Sequence, residues 1–402
     1  MDRQCWATKE RERRTGEKPN QRIGLTLSFF GIGLVCWSLG AEPVRAQEKP
    51  AAKKAVAVDI HCHISTPEAE PLVKGLLTPE KEPFLRFATA ETRQITQQQF
   101  AALLPKLTDP QERLKDMDRM GINIQAISPG PNQYYYWTDG ELGLKLARLQ
   151  NDRVAAIVRS HPDRFVGMGT LPLQDTGKAV QELERVVKEL GFHAVEISSN
   201  VTGVDLDDPR FEPFWAKVQE LDVLVFVHPL GFTDAERMKD YLLNNVIGQP
   251  LEEAVFVSRL IFSGVLERYP NLKIVVAHGG GYLPYYPGRM DHAYKVRPEC
   301  KKHISRPPSE YLKKLYFDSI VYQEPSLENL VRYAGSDHVL LGTDYPFDMG
   351  ETDPVGFVNK LQSVSRVERE NILGGNARRL LKINASGSSG PLQSQLPKKD
   401  GP

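Results

Sequence analysis

Val58-Asp59-Ile60-His61-Cys62-His63 is a short apolar run that ends in two histidines two positions apart. Side chains alternate across a β-strand, so residues two apart point the same way. As a strand, this run aims His61 and His63 at one spot and turns Cys62 away. Two imidazoles converging at the end of a buried strand make half of a metal site. The plain alternative is an incidental polar pair at a strand end, and the rest of the chain decides between them.

Outward from this run, apolar segments and helical patterns alternate to the end of the chain. The candidate strands after the first are Asn123–Ser128, Phe165–Leu171, Ala194–Ser198, Leu224–Val227, Lys273–Ala277, Leu315–Asp318 and Val339–Gly342. Helical patterns fall at 111–120, 142–161, 178–190, 214–221, 251–269, 327–333 and 355–361. The strand runs are mostly continuously apolar, which suits parallel strands covered by helices on the outside. Eight such units predict a (β/α)8 TIM-type barrel. The polar stretch 64–110 breaks the rhythm as an insertion after the first strand, with a helix expected over Gln94–Leu107. Asp109-Pro110 opens the next helix and Gly121 stops it.

A chain of 402 residues with 41% hydrophobic content buries a large core, and a formal net charge of +0 gives no reason to expect a nucleic-acid partner. Of the four cysteines, Cys5 and Cys36 lie near the N-terminus and Cys62 sits inside a buried strand, so no disulfide framework is expected. Residues 1–46 read as an export signal. Arg11, Arg13, Arg14, Lys18 and Arg22 lead an uncharged run from Ile23 to Ala41, and Val44-Arg45-Ala46 precedes Gln47 as a cleavage-like site. A membrane anchor is the other reading of the same run. That makes the mature protein exported, or cytoplasmic if those residues are no signal. Residues 47–57 read as a linker, 58–383 as the barrel domain and 384–402 as a Ser/Gly/Pro-rich disordered tail.

In a barrel the chemistry gathers at the C-terminal ends of the strands. Those ends carry His61 and His63 after the first strand, His228 after the fifth, His278 after the sixth and Asp344 after the eighth. Three histidines and a carboxylate make a zinc-type donor set, which leaves a fourth histidine for acid–base work.

Asp59-Ile60-His61-Cys62-His63, Phe226-Val227-His228-Pro229, Ala277-His278-Gly279-Gly280-Gly281 and Leu341-Gly342-Thr343-Asp344-Tyr345-Pro346-Phe347 stand in one order and spacing. With Arg164–Pro172 and Gly374–Arg378, they resemble the amidohydrolase superfamily. The match is to its amidohydrolase-related branch, which includes 2-amino-3-carboxymuconate-6-semialdehyde decarboxylase. The resemblance runs from Val58 to about Ile383. It implies a barrel of the metal-dependent hydrolase kind, with His61, His63, His228 and Asp344 as metal ligands, His278 as the catalytic base and Asp344 beside it as a catalytic residue. The fourth strand holds no lysine to bridge two metals, so one divalent ion is expected, zinc first and manganese second. The resemblance further implies that Arg289 binds a substrate carboxylate across a homodimer interface, a task that suits the guanidinium fork. A second carboxylate-binding arginine belongs in the insertion, where Arg86 and Arg93 are the candidates.

The implied activity is metal-dependent decarboxylation of a small unsaturated or aromatic carboxylic acid. The alternative is hydrolysis of an amide, ester or lactone by the same site. Tyr134-Tyr135-Tyr136-Trp137 reads as packing or as a pocket wall. His161, His292, His303 and His338 read as solvated or structural.

Overall fold

The computed structural model describes residues 55–384. Its barrel strands are Val58–Ile64, Ile124–Pro129, Phe165–Gly169, Ala194–Ile197, Leu224–Val227, Lys273–Val276, Tyr316–Asp318 and Val339–Leu340. They pair in that order, each parallel to the next. The chain beyond the eighth strand joins the first. Ile60 donates its N–H to the carbonyl of Leu341 at 2.9 Å, and His63 donates to that of Tyr345 at 2.8 Å. The sheet thus closes on itself as the expected (β/α)8 barrel.

Closure sorts the strand side chains into two layers. Val58, Ile60, Ala126, Met168, Phe226 and Val275 pack together in the lumen with Ala377 and Leu380 from the C-terminal helix. Cys62, Ile127, Val225, Val227, Ile274 and Val276 pack outward among the helices. Both layers are mostly apolar, which is why the runs lack a two-residue hydrophobic period.

The first strand departs from simple alternation. Asp59 pairs with Gln125 but Cys62 pairs with Ile127, so the first strand carries an extra residue between those pairs. This bulge turns Ile60 and His61 to the same side. Asp59 faces outward, accepting bonds from Gln125 Nε2 at 2.9 Å and Thr343 Oγ1 at 2.7 Å. Bulges beside active sites re-aim side chains in this way. Cys62 faces away from the histidines as expected, with its thiol on the carbonyl of Ala126.

Three departures from the sequence reading bear on the architecture. The expected helix 251–269 is two helices, Gly248–Phe262 and Val265–Arg268, because Gly264 adopts a φ of 78° and ends the first. The insertion is more helical than its polarity suggested. Thr89 caps a helix over Ala90–Thr108 by accepting from the N–H of Thr92, with Glu70–Val73 and Pro83–Arg86 before it. Ala57, expected in the linker, is buried and donates its N–H to Asn123 Oδ1 at 2.8 Å. The expected export signal at 1–46 and the expected tail beyond Asn384 lie outside the described residues. Among the described residues, no helix is long and apolar enough to cross a membrane.

Candidate active site and metal centre

The strand ends bring His61, His63, His228, His278 and Asp344 to one point at the mouth of the barrel. Ring centroids of His61, His63 and His228 lie 4.9–5.1 Å apart, and His278 stands 5.0 Å from His228. Asp344 Oδ1 lies 3.4 Å from His61 Nε2 and 3.2 Å from His63 Nε2. Its Oδ2 lies 3.9 Å from His278 Nε2. One donor atom from each of His61, His228, His278 and Asp344 falls within a 4.8 Å span.

The Nδ1 atoms face other partners. That of His61 bonds Asp318 Oδ2 at 2.7 Å, and that of His278 bonds Glu253 Oε1 at 2.5 Å. His228 Nδ1 bonds the carbonyl of Pro229 at 2.7 Å. His63 Nδ1 is 3.6 Å from Glu196 Oε1, a carboxylate held by the hydroxyls of Tyr134 and Ser128. For His61, His228 and His278 the bonded Nδ1 orients the ring and presents Nε2 to the centre, as carboxylate–histidine pairs do around metals, whereas His63 Nδ1 makes no hydrogen bond.

The fit to a cation is tested by the atoms left over. Among the buried side-chain atoms without a hydrogen-bond partner are Nε2 of His61, His63 and His228 and Oδ1 of Asp344. Buried polar atoms are rarely orphaned, and here they converge. A divalent cation satisfies all of them, so the donor set fits one. Electrostatics agree on two of the donors. Burial holds His228 well below the usual imidazole range, with His61 and His278 adding repulsion, so it stays neutral as a ligand must. Burial works against ionising Asp344, yet the neighbouring imidazoles hold it well below the usual carboxylate range.

The backbone at the site is strained. His278 has a φ of 49° and Asp344 a φ of 57°, the left-handed region that non-glycine residues seldom adopt. Gly279, Gly280 and Gly281 follow with φ of 63°, 76° and 64°, and a Cβ on them would meet Val321, Phe317 and the Pro250 backbone. No other residue fits that turn.

The cleft beside this centre runs in two directions that share Asn245, Gln249, Asp344 and Met349. One arm, about 380 Å³, reaches His228 and is walled by Phe84, Leu85, Phe100, Leu103 and Phe347, with Arg93, Gln97 and Asn132. The other, about 360 Å³, reaches His278, Tyr285 and Tyr322. The insertion therefore supplies a wall of the cleft. Arg93 lines it and Arg86 does not; Arg86 borders a separate cavity of about 550 Å³ beside Tyr134–Trp137. Arg289 is exposed on the helix Gly288–Val296 and does not line its own chain's cleft.

Glu82 lies in the wall between these cavities, its carboxylate accepting from Trp137 Nε1 at 3.0 Å. Burial pushes its pKa up from 4.5 to about 7. A raised carboxyl favours the fold when protonated, so this stability is complete below pH 4.5 and lost as pH rises through about 7. Glu82→Gln keeps the acceptor and removes the charge. Across that window the Tm of the wild type should fall relative to the variant and then level off. A Tm difference that stays constant from pH 4 to 8 would count against this assignment.

Sequence reading missed Asp318 and Glu253, which bond the rings of His61 and His278, and Glu196, whose carboxylate lies 3.6 Å from His63 Nδ1. Asp318 had a signal, since it ends the seventh strand. Glu196 lies inside the fourth strand rather than at its C-terminal end, where site residues are sought. Glu253 had none, being one glutamate in a helix. His338 is structural as expected, stacking on Tyr316 at 4.5 Å.

A model of the amidohydrolase family matches residues 58–383. The chain is 39% identical over 277 residues to 2-amino-3-carboxymuconate-6-semialdehyde decarboxylase of Dictyostelium discoideum, covering 69% of this chain and 77% of that one. Its fold is similar to the crystal structure of 5-carboxyvanillate decarboxylase from Sphingomonas paucimobilis. There the TM-score is 0.74 at 25% identity, over 82% of this chain and 100% of the other. It is also similar to dihydroxybenzoic acid decarboxylase from Polaromonas, solved with manganese and the inhibitor 2-nitroresorcinol. That TM-score is 0.69 at 27% identity, over 82% and 98% of the two chains. With the family model spanning the whole barrel, this chain belongs to the amidohydrolase family.

Proposed function

We propose that this chain is a metal-dependent carboxy-lyase that removes CO₂ from a small aromatic carboxylic acid. The observation that carries the reading is the set of orphaned donors on His61, His63, His228 and Asp344 at the floor of an apolar slot. A bound divalent cation supplies Lewis-acid stabilisation of negative charge on substrate oxygens. The donor chemistry favours zinc, while the Polaromonas relative holds manganese. Elemental analysis after growth with each metal separates the two.

The chain's own residues do the rest. Phe84, Leu85, Phe100 and Phe347 exclude water and take a flat ring, while Arg93 offers a charge for a carboxylate. Arg93 lines the slot within electrostatic range of the exposed Glu80. When the bond to CO₂ breaks, the carbon left behind takes a proton. His278 faces the cleft with Nδ1 tied to Glu253 and hands that proton over from its other nitrogen.

The test is a screen of the purified, metal-loaded protein for CO₂ release from hydroxybenzoates and related acids, alongside amides, esters and lactones. Release of CO₂ supports the reading, and hydrolysis without it overturns it.

We propose further that the chain is a homodimer. Tyr282 and Tyr286, 45% and 58% exposed, flank the loop leading to Arg289. Tyr241, 89% exposed, stands four positions before the cleft residue Asn245. Aromatic side chains left in water at a functional rim are typical of an interface. Arg289→Ala should keep its metal and lose about 2–5 kcal/mol of binding to carboxylate substrates. Hybrids of Arg289→Ala with His278→Ala should regain part of the activity through one intact composite site. An active monomer, or verified hybrids without recovery, would dismiss the trans role.

A further inference from the structure

Glu253 is 0% exposed on the helix Gly248–Phe262. Its Oε1 meets His278 Nδ1 at 2.5 Å, and its Oε2 is buried with no hydrogen-bond partner. Burying a carboxylate with one oxygen unsatisfied is expensive, so the group is poor stuffing for a core. Its helical neighbour shows what a structural glutamate looks like here. Glu252, 2% exposed, accepts bonds from Asn200 Nδ2, Ser199 Oγ and the N–H of Thr233, tying loops together. Successive residues on a helix point about 100° apart, so the pair serves different elements.

A second observation concerns how the loop reaches that helix. Gly281 lies so close to the backbone of Pro250 that a Cβ would collide with its carbonyl oxygen. The loop that carries His278 is thereby pressed onto the start of the helix that carries Glu253. His278 also sits in the left-handed region, a conformation that persists only when its surroundings over-determine it.

We infer that Glu253 is the positioning residue for His278: it anchors Nδ1 so that Nε2 faces Asp344 and the cleft in one fixed orientation. The inference rests on the role proposed above for His278 and extends it to a residue that touches neither substrate nor metal donors. An imidazole free to rotate about its side-chain bonds spends part of its time with no nitrogen facing the reacting carbon. Anchoring removes those orientations before substrate arrives.

The experiment compares Glu253→Met, Glu253→Gln, Glu252→Gln and His278→Ala in the metal-loaded protein. Glu253→Met fills the volume without an acceptor, and Glu253→Ala replaces it if methionine prevents folding. Loss of the anchor should lower kcat roughly 10- to 10²-fold with KM and metal content unchanged. Glu253→Gln should recover most of that loss, because its amide oxygen still accepts from Nδ1–H. Glu252→Gln should change Tm and leave kcat alone. A low-field imidazole N–H proton resonance should be present in wild type and Glu253→Gln and absent from Glu253→Met and His278→Ala. Wild-type kcat in Glu253→Met, beside an inactive His278→Ala, overturns the inference and spares the functional reading. Full turnover in His278→Ala overturns the functional reading, and the resonance, which needs no turnover, still judges the pairing.

Discussion

Replacing His278 with alanine is expected to lower kcat by about 10²- to 10⁴-fold while the protein keeps its metal. The split follows from geometry. His278 Nε2 is not among the orphaned buried atoms, and its side chain is 14% exposed to the cleft, whereas those of His61 and His63 are 0% exposed. It thus has room to exchange a proton with substrate and carries less of the burden of holding a cation. Its distance to Asp344 Oδ2 is 3.9 Å, longer than the contacts His61 and His63 make to the other oxygen. Removing the ring leaves the donors of His61, His63, His228 and Asp344 in place, so metal content should match the wild type by elemental analysis. A metal-free His278→Ala protein would reverse the division of labour, placing His278 in the cation's shell. The 4.8 Å span shared by His61, His228, His278 and Asp344 makes that a concrete alternative outcome.

His228→Ala is expected to do the opposite: metal content drops and activity goes with it. His228 stands at the end of the fifth strand with Nδ1 fixed by the Pro229 carbonyl, so its Nε2 has nowhere else to turn. Alanine removes one of four donors from a closed set. The remaining imidazoles and Asp344 are left as a charged, buried cluster with nothing to organise them. The folded barrel should survive, because strand pairing on either side, Val227 with Ile197 and with Val276, is independent of the ring. The check is metal stoichiometry after exhaustive dialysis, with circular dichroism to confirm the fold. Retention of a full complement of metal in His228→Ala would remove His228 from the ligand set.

The difference between these two histidines is present in the sequence as a difference between motifs, but only as a resemblance. His228 and His278 both follow continuously apolar runs, Leu224–Val227 and Lys273–Val276, and local pattern treats them alike. The barrel itself is legible for a local reason. Each strand is buried on both faces, so its apolar run and its polar terminus lie within a few consecutive residues. Strand bounds accordingly agree to within a residue or two, and the polar groups at their C-terminal ends stand out from the chain around them.

The barrel, its converging strand ends and the insertion after the first strand are thus properties of the chain read one residue after another. How those ends are held is a property of the closed fold alone. The bulge between Asp59 and Cys62 depends on register against the second strand, which no pattern inside the first strand records. His61 meets Asp318 across 257 positions, and His278 meets Glu253 across 25. Arg93 lines the cleft while Arg86 borders another cavity, because the turns between Pro83 and the helix Ala90–Thr108 set their directions. Such pairings form when elements far apart in the chain close onto one another, and the energy that selects them is desolvation of polar groups in the closed barrel. That term has no value until the barrel exists, so residue order alone does not carry it.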